Sequence, residues 1–309
     1  MSSLKKLTTP SGIISALAID QRGALRRMLG EDASQESLEN FKSLVSENLT
    51  AHASSILLDP EFGLPAAAKR DENCGLLMAY EKTGYDSTVA GRLPNLIANQ
   101  SVKRLKEAGA DAVKLLIYVD VDEDKAINDC KQAFVERVGS ECVAEDLPFF
   151  LEIITYDAAI SDKREYAKIK PHKVIEAMKL YADPRYHVSV LKVEVPVDMN
   201  FVEGFGDDYV YTKEEAAAFY KEQAKISNLP FVFLSAGVSA QMFHDTLNFA
   251  KASGSTFNGV LCGRATWAGA AKAYKEAGSD KAAEWLQTIG KSNIIELAKL
   301  VEELATPIK

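Results

Sequence analysis

Four ionisable side chains stand where apolar ones are expected. Lys114 in AVKLLIY, Glu152 in PFFLEIITY, Lys192 in VLKVEVP and Asp20 at the end of IISALAID each interrupt a short run rich in Val, Ile, Leu and Phe. Side chains of an extended segment alternate between two faces. Val113, Leu115 and Ile117 therefore oppose Ala112, Lys114, Leu116 and Tyr118, and Phe149, Leu151 and Ile153 oppose Phe150, Glu152, Ile154 and Tyr156. In the same way Leu191, Val193 and Val195 oppose Lys192 and Glu194, and Ile13, Leu17 and Ile19 oppose Ala16, Ala18 and Asp20. One face of each segment is uniformly apolar, and the ionisable groups share the other. An isolated buried charge is costly, so these groups must pair with one another or line a polar cavity. A lysine that has lost its proton attacks ketones, and desolvation or a neighbouring cation favours that loss. Lys192 beside Lys114 meets this condition, with Glu152 on an adjacent segment to carry protons. The cluster thus suggests iminium chemistry on a carbonyl compound. A structural ion-pair layer would use the same residue types, and Lys114 competes with Lys192 for the role of nucleophile.

Two further segment ends suit an anion. FVFLSAG and FNGVLCGR each run directly into a helical pattern, leaving Ser235 at one end and Gly263-Arg264 at the other. Backbone N–H groups at a helix start bind phosphate, and a guanidinium adds a fork-shaped cation. An ordinary capped helix beside a surface arginine is the competing reading. Metal chemistry finds no support: His52, His172, His187 and His244 end none of the apolar segments, and no pair has ligand spacing. Asp59, at the end of SSILLDP, reads as a turn or capping residue.

The elements that must position these groups recur along the chain. Eight short apolar segments, 13–20, 54–60, 76–84, 112–120, 148–156, 190–196, 231–237 and 257–264, read as buried strands. Helical patterns separate them, at 34–49 and 96–108, after the capping box Thr212–Glu215, after Ser239, and over 279–303 with a break near Gly290. Only the second and third strands lie too close for an ordinary helix between them. Such alternation implies a parallel sheet, and eight units in 309 residues fit a (β/α)₈ barrel forming one domain over 1–309. An open doubly wound sheet fits less well, because no G-x-G-x-x-G follows the first strand. In a barrel, the face bearing Asp20, Lys114, Glu152 and Lys192 points inward.

Composition narrows the partners. Lys and Arg total 36 against 44 Asp and Glu, a net charge of −8 that disfavours nucleic acid and anionic membranes as bulk partners. No apolar run approaches membrane-spanning length, and the N-terminus lacks the apolar core of a signal peptide. Cys74, Cys130, Cys142 and Cys262 form no C-x-x-C pair and read as reduced thiols of a cytoplasmic protein. A homo-oligomer stays open.

These residues carry a resemblance. GIISALAIDQRGAL (12–25), ASSILLDPEFGLPA (53–66), AYEKTGYD (79–86), GADAVKLLIYVD (109–120), ERVGSECVAEDLPFFLEIITYD (136–157), LKVEVPV (191–197), LSAGVSA (234–240) and FNGVLCGRATWAG (257–269) occur in order along nearly the whole chain. Together they resemble the class I tagatose 1,6-bisphosphate aldolases of bacterial lactose and galactose catabolism. The resemblance implies a (β/α)₈ barrel and reversible, metal-independent cleavage of a ketohexose bisphosphate to dihydroxyacetone phosphate and glyceraldehyde 3-phosphate, with no cofactor. It implies the Schiff-base lysine at Lys192, the proton-transfer carboxylate at Glu152, and supporting groups at Asp20 and Lys114. Phosphate contacts fall on Ser235 and Arg264, and further substrate contacts on Gln21 and Arg22. The chain is slightly short for that family after Leu29 and around 161–164, both expected to be loops. An aldolase for another phosphorylated or sulfonated ketose, or a catalytically weak sugar-phosphate sensor, are the alternatives. No residue in the sequence singles out tagatose over its fructose, sorbose or psicose epimers.

Overall fold

The computed structural model describes residues 4–82 and 85–308. Eight parallel strands close into a barrel in sequence order, each pairing with the next and β1 with β8. They are β1 (Ile14–Ala18), β2 (Ser55–Leu58), β3 (Gly75–Ala79), β4 (Ala112–Val119), β5 (Phe149–Thr155), β6 (Val190–Val193), β7 (Phe231–Leu234) and β8 (Gly259–Cys262). The helices are α1 (Gly23–Leu29), α2 (Gln35–Leu49), α3 (Leu64–Ala68), α4 (Val102–Glu107), α5 (Lys125–Ala144), α6 (Lys163–Tyr181), α7 (Lys213–Gln223), α8 (Ala240–Ala252), α9 (Arg264–Ala277), α10 (Ser279–Trp285) and α11 (Lys291–Leu304). The third expected strand was drawn to residue 84, and its last two positions, Thr83 and Gly84, lie outside the described residues.

The period-2 reading of the strands sorts the core into two layers. Leu17, Val113, Leu115, Leu151, Leu191, Val193 and Phe233 belong to the large cluster between sheet and helices. Ile14, Ala16, Ala18, Leu57, Leu77, Ala79, Phe150, Val190, Val232 and Leu261 fill the barrel interior, joined by Leu7 and Ile308 at its N-terminal end. The interior floor is thus apolar, and the charged positions lie above it toward the strand C-termini. There the alternation ends with the strands. Tyr156, one residue past β5, leaves the inward series and meets Lys131 of α5, whose Nζ lies 3.2 Å from its hydroxyl. Glu194, one past β6, turns from Lys192 to accept from the Thr155 N–H and hydroxyl, both at 2.7 Å, and pairs with Lys170 at 3.2 Å.

Helix starts are capped where the sequence places capping residues. The Thr212 hydroxyl accepts from the Glu215 N–H while the Glu215 carboxylate accepts from the Thr212 N–H, and Ser34 and Ser239 cap α2 and α8. Three expectations change. The helix read over 96–108 begins only at Val102, behind the Ser101 cap. The residues before it pair with the end of β3 instead: the Lys82 N–H donates to the Asn95 carbonyl (2.8 Å) and the Ile97 N–H to that of Tyr80 (3.1 Å). Around 161–164 the chain is not all loop, because Asp162 caps α6 and Lys163 and Arg164 form its first turn. Near Gly290 the C-terminal helix does not break. It widens into a π-helical turn, Leu286–Gly290, that keeps both of those residues buried.

Candidate active site

The barrel register brings the charged residues together. Leu116, Glu152 and Lys192 are direct cross-strand neighbours on β4, β5 and β6, so they form one inward layer. Lys114 lies one inward position below, paired with Phe150 and Ala79. Its long side chain rises to the carboxylates above it. Lys192 Nζ stands 2.8 Å from Glu152 Oε1, and Lys114 Nζ stands 2.6 Å from Glu152 Oε2. Lys114 also donates to Asp20 Oδ2 (2.9 Å) and to Glu81 Oε1 (2.7 Å). Glu152 therefore bridges the two lysines, and Lys114 is enclosed by three carboxylates. All these groups are buried or nearly so, and they line a cavity of about 150 Å³ with Gln21, Arg22, Lys82, Tyr85 and Tyr118.

Burial and charge act in opposite directions here. Burial disfavours the charged form of Lys114, but Asp20, Glu152 and Glu81 outweigh it and hold the ammonium well above its ordinary pKa. Burial likewise opposes ionisation of Glu152 and Asp20, yet the surrounding lysines win and keep both below the usual carboxylate range. For Glu81 burial wins, assisted by the Asp20 charge, and its pKa is raised. The site thus favours the ammonium of Lys114 and the ionised forms of Glu152 and Asp20, while Glu81 is the carboxyl whose pKa is raised.

The end of β1 is anchored from outside the barrel. The fully buried Lys42 of α2 donates to the Ile19 (2.7 Å) and Gln21 (2.9 Å) carbonyls and ion-pairs with Asp59. Asp59 also accepts from the Glu61 (3.1 Å) and Phe62 (2.8 Å) N–H groups, the turn-capping role its position suggests. This arrangement sets Asp20, Gln21 and Arg22 on the cavity wall. The guanidinium of Arg22 is engaged by Glu61 (2.5 Å) and by the Glu81 carbonyl (2.8 Å). Gln21 has its Oε1 buried without a partner among the described residues, an acceptor free for a hydroxyl group.

Next to β6, Ser235 follows β7 and begins a turn in which Ala236 (φ 49°) and Gly237 (φ 81°) are left-handed. A Cβ on Gly237 would come within 2.6 Å of the Arg264 guanidinium, so that cation lies against the turn backbone. Ser239 already caps α8 with its side chain, whereas α9, which starts at Arg264 after Gly263, has no side-chain cap. Ser235 opens onto a second cavity of about 690 Å³ between α6, α8 and the β6–α7 connection. Among the described residues no three His, Cys, Asp or Glu side chains come together as metal ligands.

Residues 14–269 match the DeoC/LacD family of aldolases. The chain belongs to that family. Among curated DeoC/LacD relatives, a tagatose 1,6-diphosphate aldolase of Staphylococcus epidermidis is 58% identical over the whole chain and 97% of its own length. Tagatose 1,6-diphosphate aldolase 2 of Enterococcus faecalis is 58% identical over 99% of the chain and 94% of its length. Among solved structures, fructose-bisphosphate aldolase of Plasmodium falciparum aligns with a TM-score of 0.74 at 14% identity, over 98% of this chain and 93% of that one. An archaeal fructose 1,6-bisphosphate aldolase aligns with a TM-score of 0.62 at 14% identity, over 97% and 98%. At that identity the likeness is one of fold: both are barrels of the same closed kind.

In this DeoC/LacD aldolase the structure gathers Asp20, Lys114, Glu152 and Lys192 into one cluster, with Gln21 and Arg22 on its wall. Ser235, Gly263 and Arg264 lie at the ends of β7 and β8, where Gly263 borders Gln21: a Cβ on it would come within 3.5 Å of Gln21 Nε2. Sequence reasoning passed over Glu81, Tyr85 and Tyr118 as site residues. The alternation Leu77, Ala79, Glu81 carries the signal for Glu81, since the first two face the barrel interior. Tyr85 has none: its position depends on a hydrogen bond from its hydroxyl to the Leu116 carbonyl, 31 residues away (2.6 Å).

Proposed function

We propose that this aldolase cleaves tagatose 1,6-bisphosphate, and its C4 epimer fructose 1,6-bisphosphate, through a Schiff base on Lys192. What carries the reading is Glu152, bridging two buried lysines of which one is locked as an ammonium. Lys114 is too strongly held by three carboxylates to give up its proton, which leaves Lys192 as the nucleophile. The proton on Lys192 passes to Glu152 across the 2.8 Å contact, and the freed amine adds to the C2 ketone. Protonated Glu152 then returns that proton to the C2 hydroxyl, which leaves as water and produces the iminium. Glu152, again a carboxylate, takes the proton of the C4 hydroxyl. The C3–C4 bond breaks toward the iminium, glyceraldehyde 3-phosphate departs, and an enamine remains. Protonation at C3 and hydrolysis release dihydroxyacetone phosphate and regenerate Lys192.

The iminium is the electron sink, so the sequence of steps calls on neither metal nor organic cofactor. Lys114 and Asp20 hold Glu152 in place and in its ionised form. Ser235, Gly263 and Arg264 receive the C1 phosphate through a hydroxyl, backbone N–H groups at the uncapped start of α9, and a guanidinium. Gln21 and Arg22 contact the sugar. We place the enzyme in the cytoplasm as a single barrel domain over 1–309, in keeping with four free cysteines.

Borohydride added together with dihydroxyacetone phosphate should reduce the imine to a stable amine on the peptide containing Leu191, Lys192 and Val193. Inactivation should need both reagents. An adduct on Lys114 would reverse the two lysines' roles, and no adduct with chelator-sensitive cleavage would end the Schiff-base reading. A protein that binds the sugar phosphate with negligible turnover would be a sensor.

A further inference from the structure

We propose that Glu194 is a positioning residue for the proton transfer between Lys192 and Glu152, acting from outside the catalytic cavity. This rests on the Schiff-base reading, in which that transfer frees the amine. The transfer depends on one separation, 2.8 Å, between side chains on neighbouring strands. The β5–β6 ladder runs from Phe150–Val190 to Ile153–Val193, so Glu152 and Lys192 form its last pair but one. β6 stops there, while β5 continues to Thr155. Element ends fray more readily than their centres, and a misplacement of about 1 Å can cost on the order of 10² in rate. The reacting pair therefore needs a tie beyond the last backbone rung.

Glu194 supplies it. Its Oε2 accepts from both the N–H and the hydroxyl of Thr155, each at 2.7 Å. Short bonds of this kind to an ionised oxygen are the strong ones. The Tyr166 hydroxyl in turn donates to Thr155 Oγ1 (2.7 Å), and Lys170 Nζ lies 3.2 Å from Glu194 Oε1, both from α6. From α7 the buried Gln223 donates its Nε2 to the Glu194 carbonyl at 3.0 Å. Side chain and backbone of one residue thus join β5, β6, α6 and α7 just beyond the reacting pair. The outward turn of the side chain has a second consequence. Facing inward, Glu194 would offer Lys192 another carboxylate and a rival destination for its proton. Turned outward, it borders the cavity of about 690 Å³ instead, and Glu152 is the one carboxylate paired with Lys192 among the described residues.

Timing imine formation tests this. Enzyme is mixed with dihydroxyacetone phosphate, quenched with borohydride at intervals, and the adduct on the Lys192 peptide is counted per folded molecule. Glu194→Ala, which leaves the Thr155 N–H without its acceptor, should slow imine formation and kcat together, roughly ten- to hundredfold. KM for tagatose 1,6-bisphosphate should rise by no more than about threefold, because the phosphate contacts at β7 and β8 are untouched. Glu194→Gln keeps an oxygen for Thr155 but loses the ion pair with Lys170. It should recover most of the rate while melting below the wild type, whereas a merely structural residue would lose rate and stability in step. Should Glu194→Ala fail to fold, Thr155→Val decides, since deleting the hydroxyl should slow imine formation about three- to tenfold. Imine formation at the wild-type rate in the variants, or a rise in KM alone, would overturn the proposal. A wild type that forms no imine at all would instead sink the Schiff-base reading.

Discussion

Lys114 and Lys173 are each buried among three carboxylates. Lys114 meets Asp20, Glu81 and Glu152 inside the barrel, and Lys173 of α6 meets Asp120, Asp122 and Asp157 beyond the ends of β4 and β5. In both groups burial disfavours the ammonium and the carboxylates outweigh it, so each lysine's pKa is raised. What differs is how the remaining oxygen lone pairs are used. Around Lys173 they take backbone: Asp120 accepts from the Asp122 and Ala158 N–H groups, both at 3.0 Å, and Asp157 from those of Ala159 (2.8 Å) and Ile160 (2.9 Å). That network closes two loops, and the third carboxylate, the half-exposed Asp122, takes His172 as its other partner at 3.1 Å. Around Lys114 only Glu81 accepts a backbone N–H, from Leu116 at 3.2 Å. Glu152 instead reaches a second lysine across the strand ladder and borders a cavity. Similar composition yields a scaffold in one place and a reactive site in the other, because chemistry requires acceptors that the backbone has not already filled.

The largest effect should come from Glu152→Gln. It keeps the shape, removes the proton carrier, and should lower kcat by about 10²–10⁴-fold with little change in thermal melting. A drop in stability without a drop in kcat per folded molecule would make the barrel cluster a scaffold too. Lys173→Met is the counterpart. Leaving its aspartates without their cation should cost about 3 kcal/mol in denaturant unfolding, with kcat unchanged in the folded fraction. Loss of activity with stability intact would erase the contrast between the two groups.

Arg264→Ala should raise KM for the bisphosphate roughly ten- to hundredfold, the value of a hydrogen bond to a charged group. An unchanged KM, with melting like that of the wild type, would remove Arg264 from the phosphate site. The smallest effect concerns pH. Hydrogen bonds from Lys173 hold Asp122 and Asp157 below the ordinary carboxylate value. Carboxylates with lowered folded pKa values contribute stability that is complete above the unfolded value near 4 and fades as pH falls through the folded ones. Chemical denaturation between about pH 5 and 2 should therefore show a shallower acid loss in Lys173→Met than in the wild type. Parallel curves would show that the aspartates owe their acidity to something other than Lys173.

Much of the fold was legible because strand and cap signals are local. A period of two, read on AVKLLIY or PFFLEIITY, places Lys114 and Glu152 opposite an apolar face whatever the rest of the chain does. Thr212 and Glu215 satisfy each other within four residues, and the helix start follows. Where neighbours compete, local signals fail. Leu96 and Ile97 belong to a helical pattern but pair with Tyr80 and Glu81, just past β3. Glu194 has the right parity to join Lys192, yet the strand stops one residue earlier and the side chain turns to Thr155 and Lys170.

The sequence alone determined which residues within the strands face inward, where the capped helices α2, α7 and α8 begin, and that two lysines and several carboxylates share the barrel's polar end. Only the tertiary structure decided who touches whom. Glu152 between Lys114 and Lys192, Glu81 as the third carboxylate, Lys42 clamping the end of β1, and Glu194 tying the end of β6 to Thr155 all depend on barrel closure and strand register. Side-chain direction is set by the nearest peptide units, whereas an ion pair is set by the distance between strands that are 33 to 94 residues apart in the chain. No local pattern encodes that distance.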